Sequence, residues 1–199
     1  MVFWKQVAQR YAEAQVVFPW SDIANFVIVD RRLASAVHDG ALAAVRSAKW
    51  SGAEEASLSG DTILIYTGGD GGWKVLVRHH AAPPVDIPDG HHIVCPLNAP
   101  TGELVIHCGS YAYGLPGVVD ADDALFDPDK HAARNDNLEG EPVIATVPAG
   151  RYVARVTLTM LDDDYDSALS EDERIPDYLI DLWPQEADPA ARFHWERLG

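Results

Sequence analysis

Residues 161–174 read LDDDYDSALSEDER, and seven of the fourteen are carboxylates: Asp162, Asp163, Asp164, Asp166, Glu171, Asp172 and Glu173. Such a stretch can bind a hard cation, face a basic partner, or simply solvate a connection. Laid on the calcium-loop pattern, Asp162, Asp164 and Asp166 fill the first, third and fifth positions, Leu169 the apolar eighth and Glu173 the twelfth. Ser167 stands where that pattern needs glycine for its sharp turn, and the residues before it read as a strand instead of a helix. The template therefore fits in part, and a solvated or partner-facing loop is the stronger expectation.

Histidine supplies the other ligand-type residues. His79 and His80, His91 and His92, and His107 beside Cys108 lie in strand-like segments, with Cys95 nearby. Neighbours on a strand point to opposite faces, so each pair offers one ligand at most to a common zinc site. No CxxC or HExxH spacing supports such a site, and ordinary strand-end histidines are expected. The glycine-rich TGGDGG (67–72) lacks the GK[ST] ending of a phosphate loop and lies between two strand-like runs, which favours a hairpin turn. No serine sits in a GxSxG elbow. Neither a catalytic constellation nor a cofactor site emerges, so a non-enzymatic protein is expected, with a calcium- or other metal-binding module as the alternative.

Charge narrows the partner. The chain of 199 residues carries 15 Lys and Arg against 31 Asp and Glu, a formal net charge of −16. Phosphate backbones and anionic membranes are bound through Lys and Arg, so direct contact with nucleic acid or membrane is disfavoured and a basic protein partner fits. The excess is local. Residues 1–100 hold 10 acids and 8 bases, whereas residues 101–199 hold 21 acids and 7 bases. Two segments carry the difference: 117–141, with Asp120, Asp122 and Asp123 among its 8 acids, and 162–181, with 9 acids. Two acidic segments meeting in space would form a local field; the competing explanation is an acid-rich or salt-adapted proteome, against which the near-neutral first hundred residues argue.

The elements that must position these residues read mostly as strands. TILIY (62–66), WKVLVRH (73–79), HHIVCPLN (91–98), GELVIHCGS (102–110), PVIATV (142–147), RYVARVTLTM (151–160) and DYLIDLW (177–183) are β-branched and aromatic runs punctuated by turn residues. EAQVVF and NFVIVD near the N-terminus look extended as well. In residues 151–159, period two puts Tyr152, Ala154, Val156 and Leu158 on one face and Arg151, Arg155, Thr157 and Thr159 on the other. The Ala-rich segment 30–50 predicts a short helix before Gly40 and leaves 41–48 open between helix and strand. Together these predict a mainly β chain: one antiparallel β-sandwich domain over residues 1–199, with one short helix, long acidic loops, a loop insertion at 111–141 and a C-terminal tail at 185–199. Two cysteines and an N-terminus without the apolar run of a signal peptide point to a cytoplasmic protein.

The order of several segments resembles the competence protein J family, bacterial inhibitors of the DNA-entry nuclease. The matching features are HDGAL (38–42), TILIY (62–66), HHIVCPLNAPTGELVIHCGS (91–110), IATVPAGRYVARVTLT (144–159) and DYLIDLWP (177–184). The resemblance implies an acidic, non-enzymatic fold that binds a nuclease. The chain departs from the family in its length at 111–141, its acidic loop at 162–176 and its tail QEADPAARFHWERLG, where most of the acidity lies. The resulting expectation is an inhibitor or immunity-type protein for a nuclease or toxin, contacting it through Asp162, Asp163, Asp164, Asp166, Glu171, Asp172, Glu173, Asp120, Asp122 and Asp123.

Overall fold

The computed structural model describes residues 14–17, 19–21, 25–32, 51–69, 71–85, 91–108, 143–159, 176–196 and 198. Their strands are β1 (Gln15–Val17), β2 (Trp20–Ser21), β3 (Asn25–Asp30), β4 (Thr62–Tyr66), β5 (Gly71–Gly72), β6 (Val75–His79), β7 (His92–Ala99), β8 (Glu103–Cys108), β9 (Val143–Thr146), β10 (Gly150–Leu158) and β11 (Tyr178–Pro184). One described helix, α1 (Ser51–Ser59), precedes β4, and a 3-10 turn (Gln185–Ala187) follows β11. The predicted helical segment lies outside the described residues beyond Arg32.

Two main sheets form the expected mainly β sandwich. One has the order β1-β6-β11-β10-β7, the other β4-β3-β8-β9, and β2 pairs with β5 in a small ribbon. Pairing is antiparallel throughout except that β11 runs parallel to β6, with Tyr178 opposite Val75. Period two sorts the side chains: Ile93, Cys95 and Leu97 of β7, Tyr152, Ala154 and Val156 of β10, and Tyr178, Ile180 and Leu182 of β11 all enter the core. From the facing sheet come Ile28, Ile63, Ile65, Leu104 and Ile106. Each Ile, Leu or Val side chain among them, taken fully from water, contributes about 1.5–3 kcal/mol before ordering costs. The face division expected for β10 holds, although Arg155 and Thr157 on its far face are buried too.

The short turns do not make hairpins. β4 and β6, which flank TGGDGG, belong to different sheets, and Gly71–Gly72 pairs with Trp20–Ser21 instead. The APTG and PAG turns likewise carry the chain from β7 to β8 and from β9 to β10, from one sheet to the other. A glycine-rich turn satisfies either geometry, because its positive φ sets a local reversal without choosing the hydrogen-bonding partner. In-sheet pairs are closed by the long connections: β8 with β9 across 109–142, and β10 with β11 across 160–175.

Those crossings define two ends of the sandwich. At the turn end, Gly102 adopts φ +75°, and a Cβ there would lie 2.1 Å from the Val147 carbonyl oxygen. Backbone bonds run from Gly102 N–H to Ala99 O (3.1 Å) and from Val147 N–H to Gly102 O (2.8 Å). Buried Asp30, at the end of β3, accepts from Thr101 N–H (2.9 Å), Thr101 Oγ1 (2.8 Å) and Arg32 N–H (2.9 Å). The Tyr152 hydroxyl donates to the Pro148 carbonyl, closing the PAG turn as a tyrosine corner does. Gln15 bridges the sheets beside these turns, its side-chain carbonyl accepting from Thr146 N–H (2.7 Å) and its NH₂ donating to Thr146 O. Across the sandwich, Gly60, which follows α1 at φ +91°, accepts from Asn98 N–H (2.6 Å).

Candidate functional site

β8 leaves the turn end and β9 returns to it, since Glu103 faces Thr146 and Ile106 faces Val143. β10 likewise starts at the turn end, with Gly150 opposite Ala99, and β11 returns there, with Tyr152 opposite Pro184. The cross-sheet links at Gln15–Thr146 and Asn98–Gly60 hold the two sheets in this alignment. Connections 109–142 and 160–175 therefore start and finish at the same, opposite end of the sandwich. The second is clamped at its base: Thr159 N–H donates to Asp177 O (3.0 Å), and the Thr159 hydroxyl to the Pro176 and Asp177 carbonyls.

All ten predicted contact residues, Asp120, Asp122, Asp123, Asp162, Asp163, Asp164, Asp166, Glu171, Asp172 and Glu173, lie outside the described residues. So does the calcium-template loop; only the bases of the two connections are placed. The structure does trim the acidic segment counted as 162–181. Asp177 and Asp181 are buried, and both are committed to internal partners. Asp177 accepts the Lys74 backbone N–H at 2.6 Å.

Asp181 is the centre of a site that the sequence reading missed. Register places Arg155 of β10 and Arg78 of β6 directly beside it, one on each flank, in a row across three adjacent strands. Arg78 grips the carboxylate with two prongs, Nε to Oδ1 at 2.6 Å and Nη2 to Oδ2 at 2.8 Å. Arg155 Nη2 donates to Oδ2 at 2.9 Å, and His80 Nε2 lies 2.6 Å from Oδ1. Burial alone would raise the carboxyl's pKa. The hydrogen bonds from His80 and Arg78, the Arg78 charge and the Arg155 bond outweigh it and pull the value down to about 2. With four polar contacts on two oxygens, the carboxylate is saturated and ionised, so it orients guanidinium groups and does not exchange protons near neutrality. Arg155 also sits over the Trp183 ring, 5.7 Å from its centroid. The signal was present as a single charge inside each of three apolar runs, LVRH, VARV and LIDLW.

The histidines separate. His79 packs edge-on against Tyr152 at 5.7 Å, His80 joins Asp181, and His92 packs edge-on against His194 at 5.3 Å. Among the described residues, no group of three or more His, Cys, Asp or Glu side chains converges as a metal site would require. Cys95 is a free, buried thiol whose burial pushes its pKa up to about 12, which keeps it protonated. No helix among the described residues is long and apolar enough to cross a membrane.

No protein-family model and no curated protein matches the chain. Two solved structures resemble it. The crocagin biosynthetic gene J protein is similar with a TM-score of 0.53 at 15% identity, covering 87% of this chain and 97% of that one. ComJ from Bacillus subtilis, an inhibitor of the DNA degrading activity of NucA, gives a TM-score of 0.44 at 10% identity, covering 85% of this chain and 95% of that one. The first likeness shows a shared fold.

Proposed function

We propose that this chain is a non-enzymatic, cytoplasmic binding protein of the inhibitor or immunity type, which blocks a basic partner such as a nuclease or toxin with the acidic end of its sandwich. One observation supports the reading: the strands that flank both acid-rich connections meet them at the same end of the sandwich. A carboxylate array there competes for the Lys and Arg that a nuclease offers to phosphate, and it steers encounter from a distance. The segment-order resemblance to the competence protein J family supports the same partner class.

Affinity capture from the native host, followed by identification of the bound protein, tests the reading. The expected capture is a basic protein whose binding weakens steeply with salt. Changing Asp162, Asp163, Asp164 and Asp166 to Asn should then weaken binding and flatten its salt dependence. Unchanged affinity and an unchanged salt slope would remove this loop from the interface.

A further inference from the structure

Alternation along β10 sends Ala154 and Val156 into the core and Arg155 and Thr157 to the opposite face of the sheet, two residues apart. Both are buried there, Arg155 at 4% exposure and Thr157 at 0%. Register sets their neighbours: Asp181 of β11 and Val94 of β7 flank Arg155, and Leu179 and His92 flank Thr157. The connection from β6 to β7 leaves across this face, where His80 meets Asp181. It arrives beside Leu158, whose N–H donates to His91 O at 2.9 Å. Arg155 commits Nη2 to Asp181 Oδ2, on a carboxylate shared with Arg78 and His80. Its Nε and the Thr157 hydroxyl have no hydrogen-bond partner among the described residues.

We propose that Arg155 Nε and Thr157 Oγ1 together hold a small oxyanion, a carboxylate or a phosphate, with one oxygen to each donor. Buried donors are nearly always satisfied, because burial without a hydrogen bond forfeits hydration and replaces it with nothing. Two such donors on one strand face call for an acceptor that reaches both. Alternate residues of a strand lie about 7 Å apart. Two hydrogen bonds of about 2.9 Å each, joined by the two oxygens of one anion, span that separation. An anion suits the pair better than a neutral carbonyl does, because Nε belongs to a guanidinium and charge-assisted bonds are the stronger, more so away from water. Fully buried Leu179 beside Thr157 supplies the apolar wall. An anion held at this depth binds the folded chain and not the unfolded one, so occupancy registers as stability.

Thermal unfolding of the full chain in chloride, acetate or inorganic phosphate, at one ionic strength, tests the site. Acetate or phosphate should raise the melting temperature by about 3–5 °C for each tenfold increase above its dissociation constant, and chloride should not. The salt that responds identifies the class of anion. Thr157→Val keeps the side-chain shape without the hydroxyl and should lose most of the response, whereas Thr157→Ser should retain it. In chloride, Thr157→Val should melt at or above the parent, because it removes a buried hydroxyl that lacks a partner. Equal melting of the parent in all three salts overturns the proposal, and so does an undiminished response in Thr157→Val. Should the variants fail to fold, calorimetric titration of the intact chain with acetate and with phosphate decides, and binding of neither overturns the proposal.

Discussion

The two ends of this sandwich use acidic residues in opposite ways. At the turn end, Asp30 is buried and accepts from both Thr101 groups and from Arg32 N–H, tying one strand end to a three-residue turn. The opposite end receives connections 109–142 and 160–175, whose segments 117–141 and 162–173 are rich in acids. Between the ends, Asp181 belongs with Asp30 as a buried, internally paired acid, since its charge is committed to Arg78, Arg155 and His80. A carboxylate saturated by internal donors contributes to the fold and little to the outer field. Carboxylates on long connections contribute to the field and can vary without cost to the core.

The contrast breaks most visibly at Asp181. Asp181→Asn leaves two buried guanidinium groups without their counter-charge, and removing one partner of such a cluster costs about 3–5 kcal/mol. Denaturant unfolding should report that loss. Acid should reach the same group more gently. The folded-state carboxyl titrates at about 2, below its unfolded value, so the stability it supplies is present above about pH 4 and disappears as pH falls towards 2. Thermal unfolding across that window should show the decline, flattened in Asp181→Asn. At the turn end, Tyr152→Phe removes the hydroxyl bonded to Pro148 O and should cost about 1 kcal/mol by the same unfolding measurement. The smallest stability effect belongs to the acidic end: the combined Asp162, Asp163, Asp164 and Asp166 to Asn variant should stay within about 0.5 kcal/mol of the parent. A large loss in that variant would show that the loop supports the core and would dissolve the distinction between the ends.

Most strands were legible because period-two alternation is a local property. TILIY, HHIVCPLN, RYVARVTLTM and DYLIDLW appear as β4, β7, β10 and β11 with ends shifted by a few residues at most. Helix α1 was not anticipated; SGAEEASLS has a weak apolar periodicity, and the helix is held by Ser57 Oγ accepting Leu64 N–H at 3.0 Å. QEADPAARFHWERLG was read only as a C-terminal tail, yet its Trp195 indole bonds Leu64 O and its Leu198 enters the core.

Sequence alone determined the mainly β class, the face division along β10 and the confinement of acid to two segments. These follow from side-chain chemistry and the pleat, which need no knowledge of neighbours. Tertiary structure decided which strands share a sheet, and with it everything that depends on register. Turn residues set a reversal without choosing a partner, so only packing could send β7 and β8 to opposite sheets and bring both acidic connections to one end. Only register across three strands could set Arg78 and Arg155 on either side of Asp181 and turn three isolated charges into one buried cluster.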